Sequence, residues 1–211
     1  MKRPMVFSHL NIAGIDYGSK LAGTTVIAFV NERNELDFAG SRKQADADQF
    51  ILEWVGIHQP QAVFLDAPLS LPGIYKNSQE YNDYFYRAAD RALQAMSPMF
   101  LGGLTARAMK LQAALQQMNV ITIEVYPSYL AKILQLNKTS YKKEKAYLTS
   151  LFTQLYSHFS TYISLSPPAT TDFQHLSWHH FDALLALFSG MRYLNQQHLI
   201  FGDTNEGLII I

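Results

Sequence analysis

The 211 residues balance 17 Lys and Arg against 17 Asp and Glu, with 48% hydrophobic residues and no cysteine. Such a chain can bury one sizeable core and is not a disordered segment, while its neutral balance excludes nucleic-acid binding by bulk charge but leaves room for a local basic patch. The missing cysteine excludes disulfides, zinc–thiolate centres and thiol nucleophiles.

The opening residues hold no apolar run of signal-peptide length, and no later stretch reaches the length of a membrane helix. A cytoplasmic protein with no membrane partner is therefore expected. The first predicted elements lie within Asn11–Val30. Two β-strands, carried by Ile12, Ile15 and Val26 to Val30, flank a turn supplied by Gly18 and Gly23. Asp16 closes the first apolar run, where it either caps the turn or needs a cation or donors to offset its desolvation. Residues Glu35–Ser41 predict a third antiparallel strand after the polar turn Asn31–Asn34.

Asp46–His58 has helical spacing at Phe50, Ile51, Trp54 and Val55, and Pro60 ends it. Ala62–Leu65 is an apolar run suited to a central strand, and it finishes at Asp66 before a proline-rich loop. Helical pattern returns most clearly over Tyr84–Leu93. The stretch Ser97–Gly103 reads as a breaker-rich loop, Thr105–Met118 as a helix, and Val120–Val125 as a strand carrying Glu124. Helices are predicted over Ser128–Leu136, Tyr141–His158 and Trp178–Asn195, with a loop at Ile163–His175 and an apolar tail at Leu208–Ile211 that can add a strand.

Strands in the order 3-2-1-4-5 would make the first and fourth parallel neighbours. Their ends then bring Asp16 and Asp66 to the crevice where α/β sheets bind ligands. Glu124 ends the fifth strand, and Asp182 lies near the start of the last long helix with His179 three residues before it on the same face. Converging carboxylates require a shared cation or proton. Hard oxygen ligands without cysteine suit Mg²⁺ or Mn²⁺, and two such ions can clamp a phosphoryl transfer. Asp16 would bridge the metals, Asp66 and Asp182 would each hold one, and Glu124 would add a further ligand unless it pairs with an arginine. His179 is read either as ligand, proton carrier and water orienter, or as a packed histidine.

Arg87, Asp90 and Arg91 sit at helical spacing, as an internal ladder of ion pairs would. Alternatively Arg87, Arg91, Arg107 and Lys110 line a phosphate-binding surface. The stretch holding Lys132, Lys138, Lys142, Lys143 and Lys145 is either a solvated helix face or a track for a nucleic-acid backbone, with Lys142 taken as a substrate contact. Asp203 and Glu206 read as turn residues. Aromatic content is compatible with self-association into a homo-oligomer.

The segments Gly14-Ile15-Asp16-Tyr17-Gly18, Phe64-Leu65-Asp66-Ala67-Pro68, Ile123-Glu124-Val125-Tyr126-Pro127 and His179-His180-Phe181-Asp182-Ala183, in this order and spacing, resemble the RNase H-like, retroviral-integrase-like fold. The chain is most similar to family 429 of unknown function, described as predicted nucleases. Its last segment is also similar to the His-His-x-x-Asp-Ala segment of Holliday-junction resolvases, with one residue fewer before the acid. The resemblance implies an α/β protein with a mixed five-stranded sheet flanked by helices. Its second strand runs antiparallel, and one domain covers residues 1–211 with a helical insertion at about 70–118. It also implies a metal-dependent nuclease with nucleic acid as partner. Two rival readings are an actin- or sugar-kinase-like phosphotransferase using Asp16–Ser19 as a phosphate loop, and a non-catalytic binding module on the same sheet.

Overall fold

The computed structural model describes residues 10–136, 145–159, 161–163 and 176–211. Among these residues the strands and α-helices follow in the order β1 Ile12–Asp16, β2 Val26–Val30, β3 Leu36–Gly40, α1 Ala47–His58, β4 Ala62–Asp66, α2 Ala88–Leu93, α3 Pro98–Leu101, α4 Gly103–Gln117, β5 Ile121–Glu124, α5 Pro127–Ile133, α6 Leu148–Phe159, α7 Trp178–Leu194, β6 Ile200–Asp203 and β7 Gly207–Ile210. The main sheet has the order β3-β2-β1-β4-β5. β2 runs antiparallel to both neighbours, and β1, β4 and β5 are parallel. Order and directions are those expected of the RNase H-like fold.

Strand alternation divides the core in two. Ile12, Ala28 and Phe64 pack with α7 on one face, while Ala13, Ile15, Val63 and Leu65 pack with α1 and α4 on the other. α7 crosses the sheet at close range because glycine stands at both contacts. A Cβ on Gly14 would lie 2.0 Å from the Leu187 nitrogen, and one on Gly190 would lie 2.5 Å from the Phe64 ring. The helix therefore runs antiparallel to β1, with its first turn at the strand's carboxyl end.

The α1 boundary follows its cap: Asp46 accepts from the Asp48 and Gln49 N–H groups. α2 is shorter than the Tyr84–Leu93 pattern. Asp83 accepts from the Phe85 and Tyr86 N–H groups and holds them in a turn, leaving Arg87 extended as the N-cap. Ser97–Gly103 is not wholly loop, since Ser97 caps the single turn of α3. The apolar tail does form a strand, yet it pairs with β6 rather than joining the main sheet, touching the latter through one bridge from Ile210 to Val125. Residues 141–144 of the predicted Tyr141–His158 helix and most of the predicted loop over 163–175 fall outside the described residues. No helix among the described residues is long and apolar enough to cross a membrane.

Candidate active site

β1 and β4 end level with each other, and Asp16 is the direct register partner of Asp66. Both follow the even-numbered alternation of Ile12 and Phe64, so both side chains leave the sheet on the α7 face. Asp16 is largely buried, at 9% exposure. Its Oδ2 lies 2.7 Å from His179 Nδ1, on the first turn of α7. Helix and strand keep step beyond that contact. Four residues of helix advance about 6 Å and two of strand about 6.6 Å, which carries the chain from His179 beside Asp16 to Ala183 beside Gly14. Asp182 is 2% exposed and enters this stretch from the same helix face as His179.

Glu124 stands differently. Its register partner is Leu65, one residue short of Asp66, so alternation starts its side chain on the α4 face of the sheet, opposite to that of Asp16 and Asp66. Both its oxygens accept from the Arg87 guanidinium, at 2.6 and 2.8 Å, and the Leu69 N–H donates to Oε2 at 2.8 Å. Burial pushes the Glu124 carboxyl up, against the pull of Arg87 and the Leu69 amide. The Arg87 guanidinium is itself buried. Desolvation favours its neutral form, but hydrogen bonds to Glu124 and Asp90 outweigh that and hold it cationic. Arg87 also donates to Ser70 at 2.8 Å. The predicted pairing of Glu124 with an arginine and the predicted Arg87–Asp90 ion pair are both present, and they place Arg87 in the interior rather than on a phosphate-binding surface.

Arg107 is engaged in the same manner. It donates twice to Asp48, at 2.6 and 3.1 Å, and once to the Gly18 carbonyl at 3.2 Å. Its guanidinium lies over the Tyr17 ring, whose hydroxyl donates to Asp48 at 2.5 Å. Burial, reinforced by Asp48, pushes the Tyr17 hydroxyl well above the ordinary phenol range. Arg91 is more exposed and binds Asp83 at 2.7 Å. Lys110 is exposed on α4, seven residues into a helix whose start lies at this rim, hence about 10 Å away along the axis. Lys142 lies outside the described residues.

A cavity of about 230 Å³ opens at the carboxyl ends of the three parallel strands, lined by Tyr17, Asp66, Pro68, Leu104 and Glu124 among others. Among the described residues, no three His, Asp or Glu side chains converge as a ready-made metal centre. The Gly18 N–H, which a phosphate loop would present, donates instead to the Thr25 hydroxyl at 3.0 Å.

Glu206 carries a role that its place in a turn does not reveal from sequence. It sits in the turn between β6 and β7 as expected, its N–H donating to the Asp203 carbonyl, but its side chain is buried and accepts from the Gly73 N–H at 2.7 Å and the Ala88 N–H at 2.8 Å. Asp203 does shape the turn, accepting from the Asn205 N–H. No local pattern marks the Glu206 contacts, because its partners lie 133 and 118 residues away.

No family model matches the chain, and no curated protein matches it in sequence. Among solved structures, it is similar to the yeast mitochondrial Holliday junction resolvase Ydc2, with a TM-score of 0.44 and 13% identity, over 91% of this chain and 80% of the resolvase chain.

Proposed function

We propose that this protein is a divalent-metal-dependent nuclease that hydrolyses phosphodiester bonds of nucleic acid at the Asp16–Asp66 rim. The observation that carries the reading is the level ending of β1 and β4, which sets two carboxylates side by side with His179 bonded to one of them. Two adjacent carboxylates repel unless a cation or a proton is shared. The donor set fits Mg²⁺ or Mn²⁺: such ions take one or two carboxylates and complete their shell with water and substrate phosphate. A finished three-ligand cage is thus not required. In the fuller form of this reading Asp16, Asp66 and, from α7, Asp182 would hold the two ions. Glu124 takes no part as a ligand, since Arg87 occupies it.

When bound, the metal would supply Lewis acidity to the phosphodiester and acidify water at neutral pH. The chain's own residues bind and orient. Asp16 accepts a hydrogen bond from His179 Nδ1–H, which makes Nε2 the nitrogen able to take a proton from an attacking water.

The test is cleavage of labelled DNA and RNA with Mg²⁺ or Mn²⁺, alongside calorimetric Mn²⁺ titration. Asp16→Asn and Asp66→Asn are expected to abolish both, and His179→Ala to slow cleavage by about 10²–10⁴-fold. A wild-type chain that binds no Mn²⁺ and cuts neither polymer refutes the reading.

A further inference from the structure

Arg87 and Arg107 are bound to carboxylates of the chain itself, so a polyanion approaching Asp16 and Asp66 must be met by other cations. Arg42 and Lys43 answer this requirement. They follow β3, which is parallel to β1, and Gly40 at its end is level with Val26, itself the partner of Asp16. Two strand spacings place Gly40 about 10 Å from Asp16 across the same rim, and Arg42 and Lys43 lie just beyond it.

Their backbone is fixed although their side chains are exposed. The Gln44 N–H donates to the Leu21 carbonyl at 2.8 Å, and the Ala47 N–H to the Lys20 carbonyl at 2.9 Å. Gly23, with φ +71°, lets the two connections touch: a Cβ there would stand 2.6 Å from the Lys43 nitrogen. The neighbouring carboxylates are occupied, Asp46 by Lys20 at 3.0 Å and Asp48 by Arg107. Among the described residues neither Arg42 nor Lys43 forms a salt bridge, so the patch keeps a net positive charge.

We propose that Arg42 and Lys43 form a phosphate-contacting rim that guides a nucleic-acid strand away from the acid pair across the ends of β2 and β3. This rests on the nuclease reading above and adds to it the direction in which the strand leaves. Phosphate contacts of this kind position the polymer without reading its sequence.

The experiment measures binding of a fluorescein-labelled oligonucleotide, single-stranded and duplex, by anisotropy in EDTA from 20 to 200 mM salt. Binding is thereby separated from cleavage. Arg42→Ala/Lys43→Ala is expected to weaken binding about tenfold or more at the lowest salt and to reduce the log–log salt slope by about 1 per residue removed. Arg33→Ala, in the β2–β3 turn at the opposite end of the sheet, is expected to leave the slope unchanged. Arg42→Gln/Lys43→Gln, which keeps side-chain bulk, should reproduce the loss and an unchanged melting temperature should accompany it. An unaltered slope in both double variants, an equal loss in Arg33→Ala, or no binding by the wild-type chain overturns the proposal. Normal salt-sensitive binding without any cleavage in Mn²⁺ would instead sink the nuclease reading and spare the surface.

Discussion

At the residue scale the most consequential side chain is Arg87. Its guanidinium holds Glu124 and Asp90 together in the interior and reaches Ser70 in the loop after β4. Arg87→Met leaves two buried carboxylates without their cation, a change that costs about 3–5 kcal/mol. Urea unfolding should show this as a lower midpoint with the slope preserved. The sequence held half of this arrangement. The spacing of Arg87 and Asp90 made an internal ion pair legible, and an acid in an apolar strand raised the question of an arginine partner for Glu124. What local spacing could not supply was the register of β5. A shift of one residue moves Glu124 from the face of Asp66 to the opposite one, and only the pairing with Leu65 decides it.

At the element scale, α7 and α1 show how capping and glycine placement position the site. Gly14→Ala would drive a methyl group into the backbone of α7 at Ala183 and Leu187. We expect a loss of at least about 1–3 kcal/mol from overpacking, with weakened Mn²⁺ binding because the helix that carries His179 must move. Circular dichroism melts and Mn²⁺ titration check the two effects. For α1, hydrogen bonding to Lys20 and to the amides of Asp48 and Gln49 outweighs desolvation and holds the Asp46 carboxyl below the usual carboxylate range. A depressed pKa contributes stability above the unfolded value, near 3.9, and this contribution is lost as pH falls through the folded value. Asp46→Asn keeps the cap but not the charge, so its melting temperature should trail the wild type at pH 6 and converge with it below about pH 3. Strong periodicity made both helices readable from sequence. The start of α2 was not, because Asp83 and the extended Arg87 interrupt a run whose composition is helical throughout.

For the whole molecule, the sheet order and the adjacency of Asp16 and Asp66 followed from short antiparallel connections and apolar strands. The turn and the final strand of the β6–β7 ribbon were legible too, but not the pairing with β6 in place of the main sheet, since the ribbon's anchors are remote in sequence. A bound ion should report on the assembled site as a unit. At a hundred times its dissociation constant, Mn²⁺ should stabilise the fold by about 2.7 kcal/mol, read by thermal shift and absent in Asp16→Asn.

The Glu206 contacts also impose an order on biosynthesis. The carboxylate that satisfies the Ala88 amide is made 118 residues after it, a delay of about 6–24 s at ordinary elongation rates. Until then, the segment leading from β4 into α2 waits on the ribosome without its final anchor, and the wall of the crevice beside Asp66 closes only as the last hairpin emerges.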